Sequence, residues 1–133
     1  MKHLSLAVVG ADHPNKSGPT RRFEIAMCHP GEAIELRPEP KNPADPQAIA
    51  VYSARGIQIG YIRAERCQLI HTVMRRASVS AIFQHADRWG CTIRAHLDGT
   101  APVLPEVDDF RAADWPPPSS EDADWWPDEE WPD

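Results

Sequence analysis

The apolar residues of this chain come in short runs, and nearly every run is closed by glycine or proline. HLSLAVVG (3–10), AIELRPE (33–39), AIAVYS (48–53), IQIGYI (57–62), SVSAIFQH (78–85) and GCTIRAHL (90–97) are rich in β-branched residues and too short for typical helices. That pattern predicts strands. RRFEIAMC (21–28) also alternates, with Phe23, Ile25 and Met27 on one face, and is expected to be a further strand. The clear helical signal is RAERCQLIHTVMRRA (63–77), where Cys67, Ile70 or His71, and Met74 fall at helical spacing. Gly56 in the ARG link between AIAVYS and IQIGYI supplies the positive φ that a tight hairpin requires.

Seven short strands and a helix imply a mostly β fold with one or two short helices. The natural architecture is a small antiparallel β-barrel of the oligonucleotide-binding-like or SH3-like kind. The expected division is a barrel domain over residues 1–104 and a tail over 105–133. From about residue 102 the chain turns rich in proline, acids and tryptophan, with no hydrophobic period, and such a composition is expected to be disordered.

The formal charge of −6 is the sum of two unlike parts. Residues 1–112 hold all 14 Lys and Arg against 12 Asp and Glu, whereas residues 113–133 hold 8 acids and no base. Cut before Glu106, the body carries 13 bases against 9 acids, a net +4. That is compatible with an anionic ligand, though weaker than the footprint of a strongly basic nucleic-acid binder. Four of the five tryptophans, Trp115, Trp125, Trp126 and Trp131, lie among the acids of the tail. Ordinary linkers do not carry rings at this density, so the tail is expected to make an interaction, either with a protein partner or with the barrel's own groove.

Three cysteines without a CxxC spacing point to a reducing, cytoplasmic setting and not to a disulfide framework. No run approaches the roughly 18 to 20 apolar residues of a membrane-spanning helix. Cys67 and His71 stand at i and i+4, and Cys28 and His29 are adjacent, but no second pair has zinc-site spacing, so no metal site is assigned. No Ser-His-Asp, P-loop or paired-carboxylate pattern appears either, and neither catalytic residues nor a cofactor are indicated.

The segment RPEPKNPADPQAIAVY (37–52) sets four prolines directly before an apolar strand. Asn42 and Asp45 each precede a proline and are suited to holding a rigid Asx-type turn through their side chains. With GIQIGYI following, and LAVVG and ELRPEP preceding, this turn resembles the HIRAN domain family over residues 4–75. The resemblance implies an oligonucleotide-binding-like barrel without enzymatic activity of its own. Its ligand would be nucleic acid, single-stranded DNA or a DNA end, with a role in DNA repair or processing.

In the family's repair ATPases the turn contributes an Asn, an aromatic ring and an Asp to a pocket for the 3′ end. Here Asn42 and Asp45 match, but the aromatic position is Ala44. The Arg-Tyr pair that follows the first strand's glycine in those members is replaced by Asp12 and His13, and Tyr61 stands where they have a histidine. The expected nucleic-acid site therefore comprises His13, Lys16, Arg21, Arg22, Asn42, Asp45, Tyr61 and Arg63. In it Asp45 accepts from a sugar hydroxyl, Tyr61 and His13 offer stacking surface, and the bases hold phosphates. The competing readings are a protein-interaction adaptor using the barrel and the Trp-acid tail and, more remotely, a zinc-dependent hydrolase-associated domain.

Overall fold

Six strands, ordered β1-β4-β3-β2-β5-β6, close on themselves in a computed structural model that describes residues 3–104. They are β1 (His3–Val9), β2 (Ala33–Pro38), β3 (Ile49–Tyr52), β4 (Gln58–Ile62), β5 (Ser80–Asp87) and β6 (Gly90–His96). Two helices, α1 (Arg21–Met27) and α2 (Ala64–Met74), complete the domain. All neighbouring strands are antiparallel. Closure rests on two short seams, β1–β4 through Val8 and Val9 and β2–β5 through Ala33 and Ile34.

The interior follows from alternation. Leu4, Leu6 and Val8 of β1 face Cys91, Ile93 and Ala95 of β6 inside the barrel, and Ile49, Val51, Ile59 and Phe83 belong to the same cluster. Cys67 and Ile70 of α2 are buried in that cluster, with Val73 and Met74 packed at its margin. Burying a side chain of this size stabilises by roughly 1.5–3 kcal/mol. On the outer face of β3 and β4, a second small cluster gathers Ala48, Ala50 and Tyr61, with Tyr52 against it.

Residues 21–28 are a correction to the sequence reading, because they form a helix and not a strand. The Thr20 side chain caps it, accepting from the Phe23 N–H at 3.1 Å. The buried set is Arg21, Glu24 and Ile25, a helical and not an alternating period. Phe23 and Met27, which a strand would have turned inward with Ile25, are 58% and 48% exposed. Six strands therefore make the barrel where seven were expected.

Gly60 is required by close approach. Its φ is 154°, and a Cβ there would collide with the Val9 carbonyl oxygen and lie 2.8 Å from Val8 Cγ1. This is where β4 meets β1, with Val8 opposite Ile62 and Val9 opposite Tyr61. Gly56, at φ 80°, turns the β3–β4 hairpin as its sequence position predicts.

Candidate nucleic-acid interface

A groove of about 820 Å³ runs over the outer face of the β3–β4 hairpin. Its floor is Tyr52, Gln58 and Tyr61; residues 14–18 form one lip and residues 39–43 the other. The two lips are built differently, and each construction is legible in its polar contacts.

The first lip is pinned by Asn15 and Arg21. Asn15 Nδ2 donates to the carbonyls of Pro19 at 3.0 Å and Gln58 at 3.1 Å, tying the loop to the start of β4. Arg21 Nε donates to Asn15 Oδ1 at 3.0 Å, and one terminal nitrogen donates to the Gly10 carbonyl at 2.8 Å. The Arg21 guanidinium also lies 5.5 Å from the centre of the Tyr61 ring. Arg21 is therefore a buried brace under the groove wall, with several of its donors committed to the protein.

The second lip is the proline turn. Asn42 Oδ1 accepts from the N–H groups of Ala44 at 2.8 Å and Asp45 at 3.1 Å, while its Nδ2 donates to Glu39 Oε1 at 3.0 Å. Asp45 Oδ1 accepts from the Gln47 N–H at 2.9 Å. Both side chains thus hold the backbone of the turn, as the prolines beside them suggested. Glu39 Oε1 also accepts from the Tyr61 hydroxyl at 2.8 Å, which links the lip to the floor. Burial above all raises the Tyr61 hydroxyl's pKa well above its usual value; Glu39 beside it acts the same way.

Of the residues expected from the sequence, Lys16, Arg21, Asn42 and Tyr61 line the groove together. His13, Arg22, Asp45 and Arg63 do not. Half-buried His13 lies next to the first lip, its N–H donating to the Gly10 carbonyl. Arg22 makes an exposed 2.7 Å ion pair with Asp12, and that hydrogen bond is the main reason the Asp12 carboxyl lies below its usual range. The anion at position 12 is therefore neutralised on the spot. Arg63 pairs with Glu65 at 2.8 Å at the start of α2. Tyr61 is only 5% exposed, which leaves little ring surface for a stacked base. The tail tryptophans, Trp115, Trp125, Trp126 and Trp131, lie outside the described residues.

Sequence reasoning did not single out Asn15, Glu39, Lys41, Tyr52 or Gln58 for this site. For Tyr52 a signal existed, since alternation in IAVY places it on the outer face with Ala50. Arg37 lies 3.8 Å from the centre of the Tyr52 ring. Lys41 stands on the second lip and Lys16 on the first, both exposed. Among the described residues neither lysine makes an ion pair.

The thiols considered for metal binding are not gathered. Cys67 is buried with Sγ against the carbonyls of Ile62 and Arg63, and burial pushes its thiol up to about 11. Cys28 is likewise pushed up to about 11 by burial. His71 Nε2 lies 2.9 Å from the Gln47 carbonyl, fastening α2 to the proline turn. Among the described residues, no helix is long and apolar enough to cross a membrane.

Barrel order, the capped proline turn and the IGY strand together define a family. The chain matches the HIRAN domain family over residues 4–98 and belongs to it. Among solved structures it is similar to the HIRAN domain of human HLTF, with 22% identity over 71% of this chain and 72% of that one and a TM-score of 0.53. It is also similar to a protein from Lactobacillus plantarum, with 21% identity over 72% of this chain and 88% of that one and a TM-score of 0.56. At these identities the two likenesses concern the fold. No curated protein sequence matches the chain.

Proposed function

We propose that this protein is a non-enzymatic nucleic-acid-binding module that takes single-stranded DNA, or a DNA end, in the groove between residues 14–18 and 39–43. Its role is that of an accessory factor in DNA repair or processing, as membership of the HIRAN family implies. The observation that carries the reading is the pair Lys16 and Lys41, exposed on opposite lips and without an ion-pair partner among the described residues. Two exposed cations on the lips of one groove, without ion-pair partners among the described residues, suit a phosphate backbone running between the lips.

Tyr52 offers the groove an aromatic ring, steadied by the guanidinium of Arg37, which is itself paired with Glu35. Glu39 is the carboxylate that lines the groove, and its Oε1 is held by Tyr61 and Asn42. A sugar hydroxyl donating to Glu39 would fill the role that the resemblance gives to Asp45. Ala44 supplies no ring, so capture of a 3′ end is weaker here than in members that carry the aromatic residue.

The test is a fluorescence titration with labelled oligonucleotides carrying free or blocked 3′ ends. Binding is expected to weaken with salt, with a log–log slope near −1.4 for two phosphate contacts at about −0.7 each, and to differ little between the two ends. Absence of binding at low salt would overturn the proposal. Salt-insensitive binding would favour the adaptor reading, in which tryptophan anchors dominate.

A further inference from the structure

At the end of β1 and β6 away from the groove, three side chains converge that the proposed function does not use. His3 and His96 are directly opposed across the β1–β6 pairing, and their rings stack with centroids 3.6 Å apart and planes 8° from parallel. Asp98 follows two residues after His96, and its Oδ2 lies 3.1 Å from His3 Nε2. Among the described residues, this is the one group of at least three His, Cys, Asp or Glu side chains whose donor atoms approach closely enough to share an ion, all within 4.8 Å.

The hydrogen-bond inventory fixes which atoms are available. The Thr100 hydroxyl has one proton, and its 2.6 Å contact to Asp98 Oδ1 takes that proton. At 2.9 Å from His96 Nδ1, the same hydroxyl oxygen must then accept, so His96 carries its proton on Nδ1. Its Nε2 is left with a lone pair, buried and without a partner among the described residues, in a residue only 3% exposed. Buried polar atoms are ordinarily satisfied, and an acceptor left open beside a second imidazole and a carboxylate calls for a ligand.

We propose that His3, His96 and Asp98 form a binding site for a divalent transition metal of the zinc class. Two imidazole nitrogens and one carboxylate oxygen are a common donor set for zinc, leaving a fourth position for water. Thr100 is the supporting partner, holding the His96 tautomer and the Asp98 carboxylate at once, as outer-shell groups do at metal sites. Tetrahedral donors at about 2.0–2.1 Å from the ion stand about 3.3 Å apart. Binding therefore draws the three groups together, opens the stacked rings so that both lone pairs point at the ion, and moves the His3 proton from Nε2 to Nδ1. The ion would clamp the first residue of β1 to the segment after β6.

The experiment uses the full chain without an added histidine tag, titrated with Co2+ as a spectroscopic probe and then with Zn2+. One Co2+ per chain is expected, with visible d–d absorption of a nitrogen–oxygen site, displaced by one equivalent of Zn2+. His3→Ala and Asp98→Asn, both at exposed positions, should each weaken binding at least tenfold while the barrel stays folded. In ¹H–¹⁵N spectra the ring nitrogens of His3 and His96 should shift on adding Zn2+, and those of His71 and His85 should not. No saturable binding, affinity in both variants equal to that of the parent chain, or thiolate-to-cobalt charge-transfer absorption from a cysteine would each overturn the assignment.

Discussion

The base of α1 and the lips of the groove handle charge in opposite ways. Beneath α1, Glu24 is buried, and its Oε2 accepts from the Ser53 hydroxyl at 2.7 Å and Arg55 Nε at 2.6 Å. Arg55 also reaches Glu32 at 3.3 Å, which depresses the Glu32 carboxyl below its ordinary range. Arg22, Arg37 and Arg63 are each in an ion pair as well. On the groove lips, by contrast, Lys16 and Lys41 extend from otherwise braced loops without such partners among the described residues. The difference separates two uses of a positive residue: these arginines hold the protein to itself, and under the proposed function the two lysines are the ones that meet an anion from outside.

That contrast can be broken first on the structural side. Gly60→Ala should destabilise the barrel by about 3 kcal/mol or more, because the colliding atom is a backbone carbonyl that cannot rotate away. Urea unfolding checks this, and a loss below about 1 kcal/mol would mean that the β1–β4 seam is not as tight as described. Glu24→Gln should cost about 2 kcal/mol, since it removes the charge at the centre of a buried network while Arg55 remains partly solvated. Oligonucleotide affinity of that variant, measured where it is still folded, should be unchanged.

On the ligand side the comparison can be sharpened by gain. Ala44→Trp puts a ring on the proline turn at the position where the repair ATPases have one. It should strengthen single-strand binding by about 1–2 kcal/mol and favour free over blocked 3′ ends. Equal affinity of the variant and the parent in the same titration would show that the turn does not face the bound strand.

Much of the barrel is legible in the chain because its strands alternate cleanly and its turns are marked by residues with a single conformational use. The hairpin over 48–62 follows from Gly56 and the IAVY and QIGYI runs, and the Asx contacts of Asn42 and Asp45 follow from the prolines behind them. Residues 21–28 are not legible, because spacing Phe23, Ile25 and Met27 by two mimics a strand. What decides the helix is the Thr20 cap together with the bonds from Ser53 and Arg55 to Glu24, some thirty positions downstream, and tertiary contacts of that kind override local propensity.

The candidate site divides along the same line. Lys16, Arg21, Asn42 and Tyr61 stand in segments whose own pattern marks them. Tyr52 is within reach of the alternation in IAVY, whereas Glu39 and Lys41 join them only because the turn between β2 and β3 comes back to β4, where Glu39 accepts from the Tyr61 hydroxyl. His3, His96 and Asp98 escaped notice for a related reason, since β1 and β6 lie at opposite ends of the domain sequence and meet only where the barrel closes.

The most direct measurement is the salt dependence of single-stranded DNA binding for the parent chain, for Lys16→Ala with Lys41→Ala, and for Arg22→Ala as an exposed cation already paired with Asp12. The double lysine variant should lose affinity and flatten the log–log slope by about 1.4, while Arg22→Ala leaves the slope within about 0.2 of the parent. An unchanged slope in the lysine variant, or an equal loss in Arg22→Ala, would contradict the claim that the unpaired lysines are the ones that meet the phosphates.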